Sequence, residues 1–301
     1  MSATAASTGA APQGRGGSRP HGMSPRTETT LRIVAPVAVG LIVLGIWQFL
    51  VSVVGVSDYL LPSPASIVEE LIAYWPSVVQ ATLLTGTNAL LGLIVGSILG
   101  IALAALAARW RPIDQMSAPV VASLAVIPIV ALAPVLNSMF GADSQFGRQA
   151  IAALASFVPV FVNTLRGFRQ TDPVHRDLMK AYAANSGQVL RTLTLPTARP
   201  FILTGIRIAS SLAVISALVA EYFGGPRGGL GGLISTSAAS SAYARAWAYV
   251  VASIALGLLF YLATLALERL LQPAGRSARR VHPPDPIPAG NGRTTPSDGA
   301  N

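Results

Sequence analysis

The chain has 301 residues, of which 52% are hydrophobic and only 11% are charged. A soluble domain carries about a quarter charged residues, so this deficit and the mean hydropathy of +0.57 indicate a membrane protein. The sequence contains no cysteine, which excludes disulfides, thiolate metal sites and cysteine nucleophiles.

The hydrophobic sequence is confined to residues 31–272. Residues 1–30 and 273–301 are rich in small and polar residues, and we expect both to be disordered cytoplasmic tails. A helix needs about 20 apolar residues to cross a bilayer, and six stretches approach or exceed that length. They are Ile33–Val56, Ser77–Ala108, Gln115–Ala142, Gln149–Leu165, Phe201–Phe223 and Ala246–Leu267. The sequence therefore predicts an all-α, polytopic membrane protein with about six transmembrane helices.

The net charge of +9 is distributed unevenly over this topology. Eighteen of the 21 basic residues lie in four regions of the chain. These are the N-terminal and C-terminal regions, the loop after the second stretch, and the part of the chain in and around the segment that joins the fourth and fifth stretches. The exceptions are Arg148, Arg227 and Arg245. The positive-inside rule then places both termini in the cytoplasm and the protein in the plasma membrane. The asymmetry also explains the high isoelectric point, so no nucleic-acid partner is predicted.

An ATPase site is excluded on this chain. A phosphate-binding loop needs a lysine after its glycines, and the only lysine, Lys180, stands between Met179 and Ala181. The glycine-rich stretch Gly224–Gly232 follows a predicted span and not a strand, so we interpret it as a tight re-entry turn. The chain is thus predicted to be neither an enzyme nor a cofactor-binding protein.

The second stretch carries a stripe of small residues spaced four apart, beginning at an asparagine. Its members are Asn88, Gly92, Gly96, Gly100, Ala104 and Ala108. Small residues at this spacing let helix backbones approach closely. Packing within the chain, a subunit interface and the lining of a translocation path all stay open as interpretations.

The third stretch contains Pro119, Pro128 and Pro134, each of which removes a backbone donor and bends a helix. Broken helices mark transport sites in many membrane proteins, yet prolines are also common in membrane helices generally. A functional and a purely structural role for Pro128 therefore both stay open.

Glu221, near the outer end of the fifth stretch, is the one acidic residue close to the membrane core. An ionisable group there is a functional candidate. It could also lie at the interface and pair with Arg227 or Arg245. We favour a structural or gating role over direct substrate contact.

Residues 166–200 form the segment that we call the coupling loop, which is too long to be unstructured in a compact membrane domain. Asp172-Pro173 is a good helix start, with Asp as the cap and Pro at the first position. Two short amphipathic helices are predicted, the second of which stops at Pro196. Their apolar residues are Leu178, Ala181 and Tyr182 in the first and Val189, Leu190 and Leu193 in the second. These faces indicate a docking surface or a helix pair lying on the membrane.

The segment DLMKAYAANSGQVLRTLTLP resembles the EAA loop of binding-protein-dependent ABC importer permeases. Aligned on Leu195-Pro196, Asp177 takes the usual glutamate position, Ala181 and Tyr182 follow, and Ala183 falls where glycine is usual. Gly187 is nearby but out of register, so we expect the break between the two helices to be shifted or softened. Further similarities extend over residues 31–272. They are Leu61-Pro62-Ser63-Pro64, Ile127-Pro128, Asn163-Thr164, Asp172-Pro173, Val219-Ala220-Glu221 and Gly229-Leu230-Gly231.

The branch that this sequence resembles imports nitrate, sulfonates, taurine and pyrimidine precursors. The resemblance implies a permease subunit that forms the translocation path together with a second permease copy, expected to be identical. A periplasmic or lipid-anchored binding protein would deliver the solute, and separate ABC ATPase subunits would bind ATP and magnesium. The residues implied in coupling to the ATPase are Asp177, Leu178, Ala181, Tyr182, Ala183, Leu195 and Pro196.

The alternative is an ion-coupled secondary transporter or a channel. Such a protein needs intramembrane ionisable groups to bind its coupling ion, and only Glu221 qualifies. A simple membrane anchor would need neither six spans nor a long cytoplasmic loop. The importer permease is therefore the preferred interpretation.

Overall fold

The computed structural model describes residues 25–55, 61–141, 144–224 and 228–271, and these ranges contain helices but no strand. The all-α fold class is confirmed. The elements are α1 (Pro25–Val54), α2 (Pro64–Ala73), α3 (Trp75–Arg109), α4 (Arg111–Val126), α5 (Ile129–Phe140), α6 (Phe146–Arg169), α7 (Pro173–Ala181), α8 (Ser186–Val189), a π-helical turn (Leu190–Thr194), α9 (Leu195–Phe223), α10 (Leu230–Ala239) and α11 (Tyr243–Leu271).

Five helical segments in the described ranges are long and apolar enough to cross a membrane. They are Val34–Val53 within α1, α3, α6, the continuous segment Ser186–Phe223, and α11. The prolines of Gln115–Ala142 were expected to bend this stretch, and α4 and α5 meet at 93°. Pro128 stands at the break, where its ring disfavours a helical conformation of Ile127. Counting the bent pair as one span gives six.

The centre of the bundle is α6, which packs most extensively against α3 and α9. The small-residue stripe of α3 makes this packing possible. A Cβ atom at Gly92 would lie 2.9 Å from the carbonyl carbon of Ala152, and one at Gly96 would lie 2.8 Å from the Cβ of Ser156. Such separations are below van der Waals contact, so only glycine allows α3 and α6 to approach this closely. Gly100 faces the backbone of Phe157 in the same way.

Helix α1 begins at Pro25, inside the segment assigned to the N-terminal tail. Proline at the first helical position costs no hydrogen bond, which makes Pro25 a suitable start. From Val34 to Val53 nearly all of its side chains are exposed, as a helix surrounded by lipid requires. Its Trp47 contacts Trp247 of α11 edge to face, with ring centroids 5.7 Å apart.

The two ends of the bundle differ in what they carry. The coupling loop follows the C-terminus of α6, and we call this the loop end. At this end, an ion pair between Arg169 and Asp114 links α6 to α4. A second ion pair, between Arg207 and Glu268 at 3.0 Å, links α9 to α11. The opposite end, which we call the far end, holds the N-terminus of α6, the C-terminus of α9 and helix α10.

Candidate functional sites

The first helix of the coupling loop starts as predicted. The Asp172 carboxylate accepts a hydrogen bond of 2.9 Å from the Val174 backbone N–H, and Pro173 is the first helical residue. Asp177, in contrast, lies in the middle of α7 and pairs with Lys180 at 2.9 Å. Asp177 is therefore too far along α7 to stabilise its N-terminus, where Asp172 is the cap.

Helix α7 presents an apolar face that the rest of the described chain does not cover. Val174 is 71% exposed, Leu178 51% and Tyr182 74%, and Ala181 between them is also exposed. Residues at this spacing lie on one side of a helix. Among the described residues, α7 makes almost no contact with other elements. An uncovered apolar face of this kind is typical of an interaction surface.

Ala183 adopts the conformation that glycine usually provides at the end of a helix. Its φ is +49°, and its N–H bonds to the Lys180 carbonyl at 2.9 Å while the Ala184 N–H bonds to the Met179 carbonyl at 3.0 Å. This pair of bonds is the Schellman motif, whose left-handed residue is usually glycine. The expectation that the break is shifted or softened is wrong, since the Schellman motif lies at Ala183 and Gly187 lies inside α8.

The second helix of the loop does not stop at Pro196. Helix α8 continues through the π-helical turn into α9, so the segment Ser186–Phe223 is helical throughout. Pro196 stands in the first turn of α9, and the preceding N–H, of Leu195, bonds to the Leu190 carbonyl in the wider π pattern. The wider turn directly precedes the proline, and single π-helical turns of this kind occur inside α-helices, frequently at functional sites. Leu195 remains 48% exposed.

At the far end, Glu221 is buried and fully engaged. It is 1% exposed, its Oε2 accepts from the Thr85 hydroxyl at 2.7 Å, and its Oε1 accepts from Asn88 Nδ2 at 3.3 Å. The alternative that Glu221 pairs with Arg245 is wrong, because Arg245 binds Glu70 at 2.8 Å. Arg227 lies outside the described residues.

Glu221 and Thr85 also hold the start of α10. The Thr85 hydroxyl accepts from the Leu230 N–H at 2.9 Å, and Glu221 Oε2 accepts from the Gly231 N–H at 3.3 Å. A Cβ atom at Gly229 would lie 2.6 Å from Glu221 Oε1, so glycine is required there. A carboxylate at a helix N-terminus interacts favourably with the helix dipole. The stretch Gly224–Gly232 is therefore more than a turn, since its last residues begin a helix.

Arg148 extends this network on α6. It is 1% exposed, and its Nη1 donates to Gln145 Oε1 at 2.8 Å. Asn88 Nδ2 donates to the same oxygen at 2.9 Å, and Gln149 Nε2 donates to Asn88 Oδ1 at 3.2 Å. We call the set the polar cluster. Its members are Thr85, Asn88, Gln145, Arg148, Gln149 and Glu221.

Sequence reasoning missed Gln145 and Arg148, because the fourth span was taken to start after Arg148. Thr85 and Gln149 lie inside the second and fourth stretches and were not singled out there. A usable signal was present, since Gln145, Arg148 and Gln149 recur at three- and four-residue spacing on one helix face. The glycines of the small-residue stripe do not join the polar cluster; they pack against α6 as described. Pro128 lies at the bend between α4 and α5 and is not a member of the polar cluster.

Residues 92–274, which include the coupling loop, match the family described as "Binding-protein-dependent transport system inner membrane component". The chain belongs to this family. It is a permease, and it is a multi-pass protein of the inner membrane. This membership favours the importer permease over an ion-coupled transporter.

Curated relatives of the permease support the same assignment. It is 34% identical over 190 residues to the formylaminopyrimidine transport permease of Halalkalibacterium halodurans, covering 62% of this chain and 75% of the relative. It is 34% identical over 226 residues to the riboflavin transport system permease of Chloroflexus aurantiacus, covering 71% and 81%. With the putative aliphatic sulfonates transport permease of Escherichia coli it shares 28% identity over 193 residues, covering 62% and 72%.

The fold is also similar to that of a solved transporter. A crystal structure of an amino acid ABC transporter with histidines contains a chain that matches with a TM-score of 0.56 and 16% identity. The match covers 67% of the permease and 97% of that chain. At this identity the likeness concerns the fold alone.

Proposed function

We propose that the permease, paired with a second copy of itself, forms the translocation path of an ABC importer driven by separate ATPase subunits. The observation that carries the proposal is the uncovered apolar face of α7. That face is held on a helix with a side-chain cap at its start and a Schellman motif at its end, so it is a shaped surface and not a frayed loop. A groove on the ATPase would cover Leu178, Ala181 and Tyr182.

The continuous helix Ser186–Phe223 supplies the mechanical connection. Its 38 residues correspond to a length of about 55 Å at 1.5 Å per residue. One end of this segment leaves the coupling loop, and the other end carries Glu221. A movement that ATP-driven closure imposes on the loop would therefore be transmitted as a rigid-body displacement to the far end. Alternating access would follow from two permease copies rocking against each other.

The distribution of basic residues supports the proposed orientation. The coupling loop and both ends of the chain carry nearly all of the positive charge, and this supports their location in the cytoplasm. The ATPase would then meet the loop end. A periplasmic or lipid-anchored binding protein would deliver solute to the far end, where α10 and the polar cluster lie.

The solute is proposed to be small, from the nitrate, sulfonate and taurine class or from the pyrimidine and nitrogen-heterocycle class. The relatives named above carry formylaminopyrimidine, riboflavin and aliphatic sulfonates, which span both classes. A binding protein would set most of the selectivity. Identifying the ligand of the binding protein that co-purifies with the permease would choose between the classes.

The direct test is reconstitution into liposomes with the ATPase and binding protein that co-purify with the permease. We expect uptake of the bound solute to require ATP and all three components. Uptake by the permease alone, driven by a pH or sodium gradient, would contradict the proposal and revive the ion-coupled alternative.

A further inference from the structure

Arg148 carries unpaired hydrogen-bond donors in the interior of the permease. Its side chain is buried, and among the described residues only its Nη1 has a partner, the Oε1 of Gln145. Its Nε and Nη2 are buried and lack one. Burying a charged group with unsatisfied donors is costly, so each such group in a folded protein requires an explanation.

The two unpaired nitrogens form a fork. In the planar guanidinium group, Nε–H and Nη2–H lie along one edge and point in parallel. This edge matches the two oxygens of a carboxylate or another oxoanion, and such bidentate pairs are among the stronger hydrogen-bonded interactions in proteins. The unsatisfied edge therefore has a specific chemical complement.

A second unpaired donor lies where α5 meets α6 and the end of α9. Asn137 Nδ2 is buried and has no partner among the described residues. A Cβ atom at Gly224 would lie 3.3 Å from the Asn137 Cγ, and one at Gly147, the neighbour of Arg148, would lie 3.5 Å from its Oδ1. The unpaired groups of Arg148 and Asn137 are all donors, so an acceptor would complete them. The N-cap residue Gln145 supplies no side-chain cap, and the positive end of the α6 dipole lies one turn from Arg148.

Glu221 does not fill the fork. The carboxylate is linked to Arg148 through two side chains, since Asn88 Nδ2 donates both to Glu221 Oε1 and to the Gln145 Oε1 that accepts from Arg148. Both carboxylate oxygens already accept hydrogen bonds, from Thr85, Asn88 and Gly231. Its charge offsets that of Arg148, so an anion at the fork would bind weakly. Weak binding suits a solute in transit, because a site on a transport route must release what it binds.

We propose that the Arg148 fork and the Asn137 amide bind one oxoanionic group, such as a carboxylate, nitrate or sulfonate, at the far end of the membrane domain. This deepens the proposed import function by favouring an oxoacid solute. The role of the site as a waypoint for the solute rests on that function. The binding itself does not, and it can be measured on the permease alone.

The test uses the full-length chain in lipid nanodiscs, with sodium methanesulfonate replacing sodium chloride at constant ionic strength. We expect the thermal unfolding midpoint to rise saturably, with half-saturation in the millimolar range. Arg148→Lys keeps the positive charge but loses the fork, and it should weaken the response by roughly tenfold or more. Arg207→Lys is the matched control, since the Arg207 guanidinium is already paired with Glu268 at 3.0 Å, and it should respond as the wild type does. Dimethyl sulfone, a neutral analogue of the probe, should have no effect.

Three results would each overturn the proposal: no saturable response in the wild type, an undiminished response in Arg148→Lys, or an equal response to dimethyl sulfone. Should Arg148→Lys fail to fold, Asn137→Leu removes the second donor at similar size and should raise the half-saturating concentration; an unchanged value would contradict the site. The assay contains no ATPase or binding protein. A negative result in this binding assay would therefore leave the proposed import function intact. Conversely, gradient-driven uptake by the permease alone would contradict the import function but would not contradict anion binding at Arg148.

Discussion

Thr85 and Glu221 are 136 residues apart in the sequence, and the Thr85 hydroxyl donates a 2.7 Å hydrogen bond to Glu221 Oε2. The same hydroxyl accepts from the Leu230 N–H at 2.9 Å. One small side chain thus joins α3, α9 and α10 at a single point. Because both of its partners are buried, neither can turn to solvent if the hydroxyl is removed.

Replacing Thr85 with Val tests this joint. Valine keeps the shape but leaves the Leu230 N–H unpaired and the carboxylate short of one donor, so we expect a loss of about 1–3 kcal/mol in the free energy of unfolding. Thr87→Val is the control, since the Thr87 hydroxyl bonds only to the Leu83 carbonyl of its own helix and is exposed. Unfolding in mixed micelles measures both, and equal effects would show that the joint does not stabilise the fold.

The packing of α3 on α6 predicts a second contrast. At Gly96, an alanine methyl group would overlap the backbone and side chains of α6, and overpacking of this kind costs about 1–3 kcal/mol. At Gly45 in α1, a Cβ atom would meet no heavy atom within 4 Å, so Gly45→Ala should be neutral or slightly stabilising. The thermal midpoints of the two variants compare them directly. A harmless Gly96→Ala would mean that the helices are less tightly packed than described.

Ala183→Gly should stabilise the coupling loop. An L-residue in the left-handed region costs about 1–2 kcal/mol, and glycine avoids that cost at a φ of +49°. Ala184→Gly is the control, because Ala184 does not have a positive φ and gains only backbone freedom in the unfolded chain. Hydrogen exchange of the α7 amides is the measurement. We expect slower exchange in Ala183→Gly and no such slowing in Ala184→Gly; the reverse order would contradict the Schellman geometry.

Much of the fold was readable from the sequence, because its signals are local. Apolar length predicted the membrane helices, and the Asp172-Pro173 pair predicted the start of α7. The departure from glycine at Ala183 was also visible, but its consequence was predicted wrongly. Ala183 lies beyond the end of α7 with its φ in the left-handed region, where glycine is the favoured residue.

The rest depended on contacts between distant parts of the chain. Nothing near Glu221 in the sequence shows that Thr85 and Asn88 are its hydrogen-bond partners. Arg245, which is closer in the sequence, instead pairs with Glu70, 175 residues away from Arg245. Pro196 was predicted to stop a helix, because sequence alone does not show that a π-helical turn accommodates it. These errors lie where tertiary packing overrides local preference.

The proposed orientation predicts the accessibility of two exposed serines. Ser186 lies in the coupling loop and Ser240 at the C-cap of α10, at opposite ends of the bundle. The chain has no cysteine, so Ser186→Cys and Ser240→Cys each introduce a single thiol. A membrane-impermeant maleimide applied to intact cells should label position 240 only, and permeabilised cells should show both. Labelling of position 186 in intact cells would invert the topology.

The central claim is that α7 docks onto a separate ATPase, and Ala181→Glu tests it most directly. The substitution would bury an unpaired carboxylate in the contact, at a cost of about 3–5 kcal/mol. Because Ala181 is exposed in the permease alone, the variant should still insert and fold. Arg176→Glu is the control, since it places a carboxylate on the opposite side of the same helix.

The measurement is co-purification of the ATPase with the tagged permease, quantified against the wild type at equal membrane expression. The docking account predicts that Ala181→Glu loses most of the ATPase while Arg176→Glu retains it. ATPase recovered with Ala181→Glu at the wild-type level would contradict the account and place the contact elsewhere on the permease.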